Sequence, residues 1–234
     1  MTALRSRVLA VADLTAAEIA ALYGLFDETF VALPERFERD LAQKDRVILL
    51  EDAATGTLQG FTSLLLYETE AAGRRLSVVY SGDTVVRPAF WGTPELPRAW
   101  FRTISTWTDG LRQPLYWLLI TSGYRTYRFL PVFFREFYPC HDRPTPALEQ
   151  ALLDQLATER FGLEFDRERG IVRFAEGATP LRAGAGEATS GRRKDPHVDF
   201  FFRRNPGQER GDELVCLARI HPDNLTAAAR RMAR

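Results

Sequence analysis

The run Leu115-Tyr-Trp-Leu-Leu-Ile-Thr121 constrains this chain more than any other segment. Its residues carry no charge and show no alternation, so they cannot lie on a half-solvated sheet. The run predicts a strand covered on both faces, of the kind found beside a parallel neighbour. A parallel neighbour requires a crossover long enough to hold a helix. Such a helix is predicted over about Glu95 to Asp109, with Trp100, Phe101, Ile104 and Trp107 at helical spacing and Gly110 as its stop. The strand before the crossover, about Leu76 to Val86, is the last of a predicted antiparallel meander. Its earlier members are Arg46 to Glu51 and Leu58 to about Glu68, joined by turns that carry Gly56 and Gly73.

Around this centre the pattern is equally readable. Residues 5–12 read as a first strand. Thr15 and Glu18 form a capping box with Leu14 as the staple, ahead of Ile19, Leu22, Tyr23, Phe26 and Phe30. A short helix over 34–43 opens at Pro34. Beyond Thr121, Tyr124 to Tyr138 is aromatic-rich and predicted helical, with Pro131 kinking or restarting the helix, and a further helix covers about 147–158. A turn at Asp166 to Gly170 leads to a short strand. Residues 176–196 are small and polar and read as a mobile loop. Val198 to Phe202 and Glu213 to Ile220 read as two late strands around Asn205-Pro-Gly207, and a helix from about Asp223 follows. No internal repeat is evident, so residues 1–234 are expected to form one domain with its core in about 5–140.

The 234 residues are 45% apolar and 26% charged, with 31 basic and 31 acidic side chains. That balance excludes electrostatic capture of nucleic acid or an anionic membrane by the chain as a whole, though not a local patch. Only two of the basic residues, Lys44 and Lys194, are lysines. The apolar run at the start is too short for a signal peptide, and no apolar stretch approaches transmembrane length, so a cytoplasmic protein is expected. Cys140 and Cys216 fit no CxxC pattern, and His141, His197 and His221 show no ligand spacing. No metal site is expected.

Three words stand at telling places: Val86-Arg-Pro88 at the end of the meander, Phe90-Trp91-Gly92-Thr93-Pro94 before the crossover helix, and Phe134-Arg-Glu-Phe-Tyr138 after the apolar strand. These words, in a β–α–α–β–β–β–loop–α–β–α order, resemble the GNAT superfamily of N-acetyltransferases. The resemblance implies an α/β (α+β) fold with a mixed, mostly antiparallel central sheet and helices on both faces. It also implies an acyl-CoA cosubstrate whose pantetheine arm lies between the fourth and fifth strands. Carried over by position, Val85 and Val86 supply backbone contacts to the arm, and Arg87, Trp91, Gly92 and Thr93 lie near the pyrophosphate. A helix N-terminus with a glycine turn is suited to that anion. The pattern departs from the family in three ways. Pro94 stands where the last glycine is expected, Glu95 puts a negative charge at the helix start, and Phe134 replaces a tyrosine. A tight turn capped by aromatics would account for Phe90-Trp91-Gly92 equally well.

Acyl transfer to an amine needs a base for the amine and an acid for the thiolate. Asp83 is the base candidate, since an acid inside a strand is unusual; an edge or bulge carboxylate, in water or paired with an arginine, is the alternative. Strand alternation places Tyr80 and Thr84 on one face and Ser81 and Asp83 on the other. Tyr80 also stands near the expected cleft, and Tyr124, Tyr127 and Tyr138 are acid candidates, or else core residues with a hydroxyl at the rim. Arg125 and Arg128 would clamp a phosphate or carboxylate, or form a solvated face, and with Arg87 they make a positive rim. Phe133, Phe134, Phe137 and Tyr138 would line an acyl or amine pocket, or a homodimer face. The expected function is transfer of an acyl group from an acyl-CoA or carrier thioester to a small-molecule amine. The alternative is a catalytically inactive ligand-binding or assembly module.

Overall fold

A two-residue turn sets the centre of the molecule. Strand β3 (Leu58–Ala71) reverses through Ala72 and Gly73 into β4 (Arg74–Val86). Both turn residues have positive φ, 49° and 69°, the geometry whose twist matches that of the flanking strands. The ladder therefore starts at the turn itself and runs from Ala71↔Arg74 to Gly60↔Val86, longer than the alternation predicts. In the computed structural model, which describes residues 3–174 and 179–233, β1 (Leu4–Ala10) and β2 (Arg46–Asp52) extend this hairpin on one side, both antiparallel.

Strand β5 (Leu115–Thr121) is buried at every position. It pairs parallel with β4 and antiparallel with β8 (Glu213–Ile220). The short β6 (Phe165–Asp166) and β7 (Ile171–Val172) complete one sheet in the order β1-β2-β3-β4-β5-β8-β7-β6. The sheet is mixed, with β4 and β5 as its parallel pair, as expected.

Helices cover both faces. On one, α3 (Glu95–Trp107), α4 (Tyr124–Tyr127), α5 (Phe129–Phe133), α7 (Pro196–Arg204) and α8 (Ala227–Met232) bury an aromatic-rich layer. Trp100, Tyr127, Phe133 and Phe201 meet Ile48, Val79, Trp117 and Cys216 there. The other face carries two apolar layers. Leu22, Phe26 and Phe37 of α1 (Ala16–Asp27) and α2 (Pro34–Leu41) cover Val47, Phe61 and Val85. Leu152 and Leu156 of α6 (Ala147–Phe161) cover Val78, Tyr80 and Leu118. Helix α1 starts with the expected capping box: Thr15 Oγ1 accepts from Glu18 N–H at 3.2 Å, and Glu18 Oε2 accepts from Thr15 N–H at 3.0 Å. Among the described residues no helix is long and apolar enough to cross a membrane.

Two predicted elements differ. Val198 to Phe202 is helical, inside α7, rather than a strand. Asp195 caps that helix by accepting from His197 N–H, Pro196 fills its first turn, and Val198 and Phe201 are buried three residues apart. Tyr124 to Tyr138 is not helical throughout. It forms α4 and α5 and then an extended arm, with Phe134 bridged to Leu225 and Tyr138 to Leu217.

Candidate active site

The site begins with one extra residue. Ser81 pairs with Leu64 and Thr84 with Thr62, so Gly82 and Asp83 together stand opposite the single Ser63. A bulge of this kind bends its strand and increases local twist. Pairing between β4 and β5 runs from Ser77↔Leu115 to Ser81↔Leu119. Beyond it, Gly82 to Val86 stay with β3 while Ile120 and Thr121 stay with β8. The two strands part, and a wedge opens between them. The bulge also corrects the facing read from strict alternation. Thr84 shares Ser81's face: Thr84 Oγ1 lies 2.7 Å from Thr62 Oγ1, and Trp117 Nε1 donates to Ser81 Oγ at 2.8 Å. Asp83 joins Tyr80 on the opposite side, toward α1 and α2.

The wedge leads into a cleft of ≈ 1010 Å³ that passes through the sheet. Leu96, Phe129 and Phe133 wall it on the α3 side, and Phe26, Phe37, Asp40, Tyr80, Asp83 and Glu213 on the other. Three carboxyl groups thus converge from α2, β4 and β8. Burial, together with the negative charge of Asp40, pushes the Asp83 carboxyl up into the neutral range, against the pull of Lys44 and Arg36. Glu213 is raised for the same reasons, with Asp83 as an added negative neighbour. The counter-cation is the buried Lys44, whose Nζ donates to Asp40 O at 2.9 Å and Asp40 Oδ2 at 2.7 Å. Gly82 makes room for it, since a Cβ there would stand 2.5 Å from Lys44 Cε. Tyr80 lies beneath, its ring 5.4 Å from Lys44 Nζ and 3.9 Å from the Arg160 guanidinium. Burial raises its pKa well above the usual phenol value, which holds the proton on the ring oxygen.

At the mouth, the predicted rim of free positive charge is already paired. Arg87 donates to Glu28 at 2.9 and 2.5 Å and to Leu58 O at 3.0 Å. Arg128 faces Asp195 at 3.2 Å. Arg125 donates to Ala185 O and Glu187 O, and its guanidinium stacks on the Trp91 ring at 3.7 Å. Trp91 in turn donates Nε1–H to Val86 O at 2.7 Å. This stack joins the lip after β4 to the lip after β5. Gly92 supplies a positive φ of 85° in the turn, and Thr93 Oγ1 donates to Phe90 O. The start of α3 is a poor anion site. Pro97 has no N–H, Arg98 N–H is given to Pro94 O, and Glu95 adds negative charge, which leaves the N–H groups of Glu95 and Leu96.

The backbone contacts shift by one residue from their expected place. Arg87 N–H bonds Gln59 O on β3, so alternation turns the N–H of Val86 and of Thr84 toward the wedge and that of Val85 toward β3. The Val85 side chain is buried under α1 and α2. Tyr138 does not reach the cleft; its N–H and C=O both bond Leu217 at 2.8 Å. Tyr127 OH is occupied by Pro139 O at 3.0 Å. Tyr124 does line the cleft, as do Asp40 and Glu213, which sequence reasoning passed over. One signal pointed to this cluster. In a chain whose cations are almost all arginine, Lys44 marks a place where a compact ammonium fits and a planar guanidinium does not.

Of the loop predicted over 176–196, residues 176–178 lie outside the described residues. Residues 179–195 form the outer wall of the cleft. Val31 N–H bonds Pro180 O, and Arg182 donates to the carbonyl and, at 2.6 Å, to the carboxylate of Asp27. Thr179, Leu181, Thr189 and Arg192 line the cavity.

No family model matches the sequence, and no curated protein matches it. The chain is similar in structure to a Saccharomyces cerevisiae N-myristoyltransferase with bound myristoyl-CoA, at 13% identity and a TM-score of 0.41 over 52% of this chain and 30% of that one. It thus spans under a third of that enzyme's length. It is similar to a conserved protein from Enterococcus faecalis described as a probable N-acyltransferase, at 10% identity and a TM-score of 0.43 over 94% and 66% of the two chains. A GCN5-related N-acetyltransferase from Kribbella flavida matches at 14% identity and a TM-score of 0.40, over 57% and 34%. The mixed sheet, the parallel β4 and β5 and the wedge where they part form the α/β arrangement that the resemblance in the sequence implies.

Proposed function

We propose that the protein is an N-acyltransferase that moves an acyl group from an acyl-CoA or carrier thioester to a small-molecule amine. The observation that carries this reading is the parting of β4 and β5 beside an Asp83 carboxyl raised toward neutrality. The thioester arm would enter from the α3 side and lie along Thr84 to Val86. The amine would approach from the α1 and α2 side, past Asp40 and Glu213. A carboxylate with a raised pKa is a stronger base than an exposed one and accepts the proton released as nitrogen attacks the carbonyl carbon. The oxyanion would be met by the inward N–H of Val86 or Thr84. The C–S bond then breaks, and the thiolate takes a proton from Tyr124 or water.

Thermal melting in the presence of acetyl-CoA and a longer acyl-CoA tests the binding step. Ligand at 100 times its Kd should add about 2.7 kcal/mol; no shift with any thioester would rule out a thioester-dependent enzyme. For the chemistry, Asp83→Asn should depress turnover and remove the rise of rate toward neutral pH. The second reading, a binding module without catalysis, is favoured by the weakened α3 start and the Trp91–Arg125 stack across the mouth. Thioester binding with no amine-dependent release of thiol would select it.

A further inference from the structure

The weakened start of α3 leaves a phosphorylated donor without its expected anchor, and the opposite wall of the mouth offers another. Gly191-Arg192-Arg193-Lys194 forms a tight turn, closed by Arg193 N–H to Thr189 O at 3.0 Å and Arg192 N–H to Thr189 Oγ1 at 3.4 Å. The turn is fixed from behind. Asp195, the next residue, caps α7 and holds Arg128 of the segment after β5. All three cations are exposed. Arg193 lies over the Phe202 ring at 3.6 Å. Among the described residues, no carboxylate pairs with Arg192, Arg193 or Lys194. Arg192 lines the cleft itself. The other arginines of the mouth are engaged: Arg87 by Glu28, Arg128 by Asp195, Arg182 by Asp27, and Arg125 by two carbonyls and Trp91.

We infer that the Arg192-Arg193-Lys194 turn is the phosphate-binding site of the cleft, with Arg192 contacting the phosphate groups of a nucleotide-bearing thioester and its two neighbours strengthening the local field. The inference rests on the proposed acyl-transfer reading and names the subsite that replaces the start of α3. Guanidinium recognises phosphate through paired, charge-assisted hydrogen bonds. Neighbouring cations within a Debye length of about 8 Å add attraction that salt screens.

Isothermal titration with acetyl-CoA, and separately with S-acetylpantetheine, which has no phosphate, tests this. Arg192→Glu should weaken acetyl-CoA binding by about 10- to 100-fold, and Arg192→Lys should restore most of the affinity. Arg193→Glu with Lys194→Glu should weaken it less and reduce its salt dependence. S-acetylpantetheine should bind all variants alike. Circular dichroism checks the fold, and Arg192→Gln substitutes if charge reversal disturbs it. Wild-type binding of acetyl-CoA that survives Arg192→Glu unchanged overturns this site and leaves the acyl-transfer reading standing. Loss of S-acetylpantetheine binding in parallel means that Arg192 shapes the cleft and is not a phosphate ligand. Failure of the wild type to bind these thioesters or a longer acyl-CoA overturns both readings.

Discussion

A methyl group at position 82 would come within 2.5 Å of Lys44 Cε and 2.6 Å of Ser63 Oγ. Gly82 is therefore the residue on which the bulge, the buried lysine and the position of Asp83 all depend. Gly82→Ala should destabilise the protein by about 1–3 kcal/mol, the usual cost of overpacking. The loss should be smaller in a Lys44→Ala background, because one of the two contacts is then gone; a double-mutant cycle by urea unfolding measures the coupling. Equal losses in both backgrounds would separate Gly82 from Lys44. The carboxyls beside it set a pH dependence. Asp83 and Glu213 hold protons more tightly when folded than when unfolded. Their contribution to stability is full below the ordinary carboxylate range and is lost as pH rises into the neutral range. Asp83→Asn should therefore flatten the decline of Tm between about pH 4 and pH 7. A parallel decline in mutant and wild type would place the effect elsewhere.

At the scale of elements, α7 is held by one residue with two tasks. Asp195 accepts from His197 N–H at 3.0 Å and faces Arg128 at 3.2 Å. Asp195→Ala removes the cap and the ion pair and should cost about 1–2 kcal/mol, whereas Asp195→Asn keeps a capping oxygen and should cost under about 1 kcal/mol. Urea midpoints for the two variants test that order, and an equal loss would assign the whole effect to the pair. The same helix shows where sequence reading stops. Val198 to Phe202 is bulky and apolar enough to read as a strand, and only the Asp195-Pro196 start marked it otherwise. The meander and β5 were legible because a strand's period, its glycine turns and an uninterrupted apolar run are local properties. The bulge stood only as an alternative for Asp83 and was not fixed, because an extra residue is defined by the partner strand: Ser81, Gly82 and Asp83 alternate normally until Ser63 is set opposite them. For the same reason Asp83 was identified as the candidate base but assigned to the wrong face. Asp40 and Glu213, which meet it only through the fold, were not found.

At the scale of the molecule, the cleft is a passage through the sheet with a bar across its mouth. Trp91, 45% exposed, stacks under Arg125 and bonds Val86 O, while Arg125 also holds the outer wall at Ala185. A thioester arm lying along Val86 would have to replace the Trp91 hydrogen bond, and entry between the lips would have to part the stack. An exposed cation–π contact is worth about 0.5–1 kcal/mol and a neutral hydrogen bond about 1 kcal/mol. Together they favour the closed mouth by roughly tenfold or more, and apparent affinity falls by the open fraction. Trp91→Ala should therefore raise the association rate of acetyl-CoA by about tenfold, with a smaller change in dissociation, as stopped-flow binding would report. Trp91→Phe keeps a stacking face but loses the indole donor and should fall between. If association slows instead, Trp91 belongs to the binding surface, and the stack is a platform for the incoming ligand and not a barrier to it.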